Sequence, residues 1–189
     1  ATYGWYNYNE TFQVPSHMYL KVEIVSKGGD GGWGSYGWYT INQGGFSTQY
    51  NRFISGTGGG GGATFEGEYH GNELTIQKNT TDEIIKLIFN EKEIIITPGA
   101  NGQDFNPSGM TDWQNVNGLP DSDGGDGGTV ELPNGYETEW TNLTTSAGSK
   151  GEGSVDNKMP SQFTNFQTYN IFTSFAHPNG GAGSWMDDA

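Results

Sequence analysis

The sequence predicts an all-β fold, a small β-sandwich or meander in which glycine-rich, polyglycine-II-like segments pack as a layer. Three observations carry that expectation. Short runs alternate apolar and polar side chains with period 2, as half-buried strands do. Glycine supplies 32 of 189 residues, and its tracts sit directly beside those runs. The stretch 28–39, GGDGGWGSYGWY, divides into triplets led by Gly28, Gly31, Gly34 and Gly37, with Trp33, Tyr36 and Tyr39 closing the last three. A helix repeats every 3.6 residues and a strand every 2, so a three-residue beat fits neither. It fits an extended helix of three residues per turn, whose glycine edge lets backbones approach closely.

Along the chain, residues 1–12 are dense in aromatics, with Tyr3, Tyr6 and Phe12 on the same beat, and read as a candidate arm or edge segment. Residues 19–26 set Leu20, Val22 and Ile24 against Lys21 and Glu23, a half-buried strand. After the triplets a polar loop leads to a second glycine tract, 56–62, which opens into a strand at 63–69. Isoleucine-rich strand candidates follow at 74–77, 83–89 and 93–97, separated by turn-forming stretches at 78–82 and 90–92. An amphipathic helix over 81–96 is the rival, with Ile84, Leu87, Ile88 and Ile95 on one face, but β-branching favours strands. Pro98-Gly99 reads as a turn continued by Gly102, and 103–123 as an irregular polar loop containing Trp113. A third tract, 124–128, precedes a short strand at 129–132, and Pro133-Asn134-Gly135 turns the chain into 136–140.

In the aromatic C-terminal segment, 160–189, Phe163, Phe166, Tyr169, Phe172 and Phe175 recur every third residue. On an α-helix that row would drift by about 60° per step. A threefold extended segment aligns all five rings; a helix and a doubly buried strand remain the alternatives.

Length and a low apolar content imply one glycine-rich β domain over 1–189. Six Trp, ten Tyr and ten Phe argue for order, since disordered chains are poor in aromatics. A formal charge of −14 opposes binding to phosphate backbones and to anionic membranes. The longest apolar-rich runs, 84–89 with Lys86 inside it and 94–96, are far too short to span a bilayer. Without cysteine there is neither a disulfide nor a thiolate metal site. A chain starting at Ala1 is expected to be a processed product, cut after a signal peptide or after methionine. Glycosylation acceptors at Asn9, Asn79 and Asn142 are about as many as chance provides for a chain this rich in Asn, Ser and Thr.

The order of these features resembles the glycine-rich domains of bacteriophage tail fibres and bacterial surface proteins. A more distant likeness is to the extracellular glycine-rich region of the anaplastic lymphoma kinase receptors. The resemblance rests on Val14-Pro15 before an alternating strand, Gly28-Gly29 and Gly31-Gly32 after it, and the 58–62 run entering Ala63-Thr64-Phe65. It continues with Thr97-Pro98-Gly99, then Gly124-Gly125 and Gly127-Gly128 before Thr129-Val130, and so covers about 11–136. It implies polyglycine-II helices packed beside a small β structure and used for adhesion or display, with no catalytic residues to carry over. The isoleucine-rich stretch 83–96 and the aromatic tail depart from the family's pattern.

The sequence carries few residues in patterns that support chemistry. His17, His70 and His177 have no metal-site spacing and read as surface or packing residues. Asp121, Asp123 and Asp126, in DSDGGDGG, are the candidate cation site, since carboxylates in a glycine loop suit calcium; the alternative is a solvated turn. No GK[ST] follows the glycine run, and no nucleophile signature supports an enzyme. The tryptophans offer flat faces to sugars or large areas to a core short of aliphatics. The expectation is a non-enzymatic structural or adhesion module of a virion fibre, a spike or a cell surface, located on a virion or outside the cell. Its expected partners are further copies, other surface subunits or a surface glycan, with no resident cofactor. The rival is a secreted subunit that polymerises through its N-terminal arm; a lectin or carbohydrate-active enzyme is the third reading.

Overall fold

The computed structural model describes residues 7–106, 111–119 and 123–160. The arm residues Tyr3 and Tyr6, Asp121, His177 and the five tail rings lie outside that range. The fold is all-β, with three antiparallel sheets and no α-helix among the described residues. Eleven strands run in order: β1 Tyr8–Gln13, β2 Leu20–Val25, β3 Ser35–Gln43, β4 Phe46–Ile54, β5 Thr64–Tyr69, β6 Glu73–Lys78, β7 Ile85–Phe89, β8 Lys92–Ile96, β9 Val130–Glu131, β10 Trp140–Ser146 and β11 Asp156–Pro160.

Two of the sheets form a sandwich. One has the order β1-β6-β7-β8-β9 and the other β10-β5-β2. Leu74, Leu87, Phe89, Ile94 and Ile96 of the first sheet share a buried core with Val22, Phe65, Tyr69 and Trp140 of the second. The alternation seen in β2 and β7 makes this possible, because a period of 2 puts every second side chain on the inner face. Trp140 is the hub: its ring lies 5.2 Å from Phe65, 5.0 Å from Tyr69 and 5.9 Å from Phe89, centroid to centroid. Gly67 lies beneath it, where an added Cβ would stand 3.0 Å from Trp140 Cε3.

The helix considered for 81–96 does not form. Residues β7 and β8 make a hairpin instead, with Phe89 opposite Lys92 and a two-residue turn of positive φ at Asn90 (44°) and Glu91 (59°). Residues 8–12, read as part of an arm or edge segment, belong to β1, an edge strand of its sheet, paired with β6 from Tyr8–Lys78 to Gln13–Glu73. The run 136–140 is a 3-10 turn at Tyr136–Thr138, and strand β10 begins at Trp140.

The third sheet has the order β11-β4-β3, and its strands β3 and β4 stand where the sequence predicts a continuation of the triplets and a polar loop. The correction is physical. From Ser35 onward the chain has a ladder partner, and Ser35 to Gln43 pair residue by residue with Ile54 to Phe46. Pairing imposes period 2, so Tyr36 and Tyr39 point to opposite faces and do not continue the row begun by Trp33. The sheet buries Ile54 with Phe105 and Val116, and Trp113 and Leu119 pack on that small core.

Between the sandwich and the third sheet run five extended segments, 26–34, 55–63, 97–105, 123–129 and 147–155. Three connect the two ends directly: 26–34 leads from β2 to β3, 55–63 from β4 to β5, and 147–155 from β10 to β11. The turn expected at Pro98-Gly99 is part of 97–105, which runs straight because its backbone is bonded to three neighbours. The bonds step by three. Gly29 and Gly32 donate to the carbonyls of Gly60 and Thr57, at 2.7 and 2.8 Å. Gly99, Gly102 and Phe105 donate to Lys27, Asp30 and Trp33, at 2.7 to 2.8 Å. Gly58 and Gly61 donate outward to Glu152 and Ser149, and accept from Gly125 and Gly128.

Segment 55–63 is thus bonded to all four others, whereas a strand in a sheet has two neighbours at most. Three residues per turn is the repeat that points backbone groups in three directions, and at about 3.1 Å per residue the nine-residue segments span roughly 28 Å and the shorter 123–129 roughly 22 Å. Every residue from 52 to 63 is buried. This explains the unbroken glycine run at 58–62, for which no direction is open to a side chain. A Cβ on Gly59 would fall 2.2 Å from the Gly29 carbonyl oxygen, and one on Gly60 1.9 Å from that of Asp126. In the outer segment 26–34 one direction faces solvent, and its third positions Asp30 and Trp33 carry exposed side chains.

Candidate functional site

The end of the molecule built on the third sheet carries most of the exposed aromatic side chains among the described residues, the exception being Tyr19 beside β2. Trp33 is 61 % exposed, Trp38 62 % and Phe46 79 %, with Tyr36 at 43 %. Each is held by backbone. The Trp33 N–H donates to Asp104 Oδ1 at 2.8 Å while its carbonyl accepts from Phe105 N at 2.8 Å, so the indole projects from a clamped peptide. One triplet earlier, Asn101 Oδ1 accepts from the Asp30 N–H at 2.9 Å in the same way. Beside Trp33 an open depression of about 300 Å3 is lined by Gly34, Ser35, Asp104, Phe105 and Asn106.

Tyr36 stacks on Phe53 of the neighbouring strand with ring centroids 6.0 Å apart. On the opposite face Tyr39 stacks on Tyr50 at 5.5 Å, and burial raises the Tyr39 phenol above its ordinary value. That face is closed by Trp113, which lies where a Cβ on Gly37 would come within 2.0 Å of its ring. Arg52, buried on the same face, holds the assembly together. Its Nε and Nη2 donate to Asp156 Oδ1 and Oδ2 at 2.9 and 2.6 Å, and Nη1 donates to the Trp113 carbonyl at 2.9 Å. One guanidinium therefore joins β4, β11 and the Trp113 loop, a planar fork matched to a carboxylate.

Of the glycines that lead the triplets, Gly28 and Gly34 are buried and Gly31 half-buried. In segment 26–34 a Cβ on Gly29 or Gly32 would strike another backbone, at 1.9 Å from the Ala100 and 2.1 Å from the Gln103 carbonyl oxygens. Asp123 and Asp126 lie on the outer side of segment 123–129. Lys150 Nζ stands 3.0 Å from the first and 3.6 Å from the second, and its pKa is raised by those carboxylates, Asp123 foremost. Among the described residues no group of three His, Cys, Asp or Glu is placed to hold a metal ion. His70 is tied to Thr141 Oγ1 at 2.7 Å and lies against Tyr19, and His17 occupies a positive-φ turn position.

Sequence reasoning missed the projecting hairpin β3–β4, whose exposed residues include Trp38 and Phe46. The signal was present: Gly44-Gly45 between two runs rich in Tyr, Thr and Ile is a two-residue hairpin turn, and both glycines have positive φ, 55° and 82°. Among the described residues no helix is long and apolar enough to cross a membrane. Compared with family models, with curated protein sequences and with solved structures, the chain finds no match.

Proposed function

We propose that this chain is a non-enzymatic adhesion and display module, carried on a virion fibre or spike or on a cell surface. One observation carries the reading. An uncharged hairpin bearing exposed aromatic rings is mounted on a rigid glycine bundle, at the end away from the sandwich. Residues 35–51, SYGWYTINQGGFSTQYN, contain no Asp, Glu, Lys or Arg. Tyr, Trp, Ser, Asn and Gly are the side chains of recognition surfaces, combining large rigid contact area with adaptable hydrogen bonding. The bundle suits this task because polyglycine-II packing places backbone hydrogen bonds along every direction and leaves few side chains able to move. A surface glycan fits the chemistry best, since Trp33 and Trp38 offer flat faces and Asp104 and Asn106 border the Trp33 depression.

The test is adsorption of fluorescently labelled protein to bacterial envelope preparations and to an array of surface glycans. Binding is expected to fall with Trp33→Ala and Trp38→Ala, and to persist with Val25→Ser on the sandwich, where the exposed valine is outside the proposed surface. Absence of adsorption to every envelope and glycan, or binding indifferent to both tryptophans, would refute the reading.

A further inference from the structure

The free edge of the third sheet has a property shared by no other described edge. Sheet edges invite pairing with another chain, and proteins blunt them with charges, proline, bulges or short length. Here β2 carries Lys21 and Glu23, and β11 carries Asp156 and Lys158 and ends at Pro160. β10 is interrupted by a register shift between Thr141 and Thr144, β9 has two residues, and β1 carries Glu10. β3 has none of these devices. It is nine residues long, uncharged, free of proline, and paired with β4 in unbroken register.

The direction of its unused hydrogen bonds follows from the turn. A two-residue loop makes Gln43 and Phe46 a hydrogen-bonded pair, so every second residue back along β3 bonds to β4. The N–H and C=O groups of Trp38, Thr40 and Asn42 therefore point to the outer edge. All three residues are exposed, and β3 ends the order of its sheet.

We propose that this edge pairs with the same edge of a second copy, antiparallel about a two-fold axis at Thr40. Thr40 faces Thr40 of the partner subunit, and Trp38 faces Asn42 of the partner subunit, with Asn42 in turn facing the partner's Trp38. A second copy is the fitting occupant for two reasons. An antiparallel edge is complementary to itself, which is the requirement of a two-fold interface. Two chains of formal charge −14 also repel least where neither carries a charge, and 35–51 is such a stretch. A two-fold axis normal to the sheet turns the same face of both copies outward, so the dimer joins two Trp38 surfaces into one six-stranded platform.

Sedimentation equilibrium of the whole chain tests this, with two variants. Thr40→Pro removes the outward N–H while leaving the β3–β4 ladder intact, since residue 40 does not donate to β4. Thr40→Lys places like charges across the axis. A dimer that both variants weaken by about tenfold or more, with circular dichroism and melting unchanged, is the expected result. The chain lacks cysteine, so a nitroxide on Thr40→Cys reports the axis: dipolar broadening is expected there and not for Thr145→Cys on β10. A chain that stays monomeric at every concentration, or a dimer indifferent to both variants, overturns the proposal. Because the Thr40→Pro monomer keeps Trp33 and Trp38, its adsorption to envelopes and glycans is measured separately, and failure of the dimer is distinguishable from failure of the adhesion reading.

Discussion

Gly60→Ala is the sharpest probe of the glycine bundle. The new Cβ would stand 1.9 Å from the Asp126 carbonyl oxygen and 2.4 Å from its carbon, where ordinary contact begins at 3.4 Å. Segment 123–129 must therefore retreat by about 1.5 Å, a displacement that packed interiors absorb poorly. Three bonds of 2.8 Å hold that segment at this level: Gly125 N to Gly58 O, Gly128 N to Gly61 O, and Ala100 N to Asp126 O. Lengthened by that amount, all three exceed hydrogen-bonding distance. At about 1–2 kcal/mol for each buried pair left unmade, the loss is about 3–6 kcal/mol. That is a large share of the roughly 5–15 kcal/mol that stabilises a typical domain, and at this chain length it lowers the melting temperature by about 10–20 °C. Thermal melting by circular dichroism measures it, with Gly44→Ala as the control. Gly44 has nothing within 4 Å and a φ of 55°, so its substitution costs only the left-handed strain, about 1–2 kcal/mol. In an open glycine loop Gly→Ala would instead stabilise by about 0.4–1 kcal/mol by restricting the unfolded chain. A Gly60→Ala protein melting at or above the wild-type temperature would refute the close packing described above.

Glu91 sits at φ 59° in the β7–β8 turn, so Glu91→Gly, which creates the Asn-Gly pair that such turns favour, should raise stability by about 0.5–1 kcal/mol in the same melting assay. Asp156→Ala leaves the Arg52 guanidinium buried without its carboxylate, and should cost about 2–3 kcal/mol in urea denaturation after allowance for the partly exposed aspartate. The Tyr8 phenol is pushed up to about 12, first by burial and then by its hydrogen bond to Glu10. Its folded value lies above the unfolded one, so its contribution to stability is fully present below the ordinary value of 10.0 and is lost as pH rises through about 12. Ultraviolet titration should show a phenolate step there that Tyr8→Phe removes.

Local pattern alone specified most of the sandwich strands, β2 and β5 to β9, but not β1 or β10. The alternation of Leu20, Val22 and Ile24 required a partner on one face, and the β-branched run through Ile84 and Ile94 favoured strands over the rival helix. The glycine tracts likewise announced close backbone approach, and the exposed third positions Asp30 and Trp33 kept the beat that the sequence displays. Where that beat stops was a tertiary matter. GSYGWY continues the triplets on paper, yet from Ser35 onward β4 lies alongside, and ladder pairing replaces three directions with two. Segments 97–105 and 147–155 carry only scattered glycines, because they line the outside of the bundle and need a bare Cα only where they face another backbone, as Gly102 does against Thr57 and Gly151 against Gly58. The aromatic hairpin end is assembled by contacts far apart in sequence, Arg52 to Asp156 and Gly37 to Trp113, which no local window contains. Sequence by itself determined strands β2 and β5 to β9 and the stretches that are glycine-lined, because period and side-chain size act within a few residues. Only the tertiary structure decided which backbone each glycine faces and which rings are left in solvent, because those depend on neighbours brought together by the whole chain.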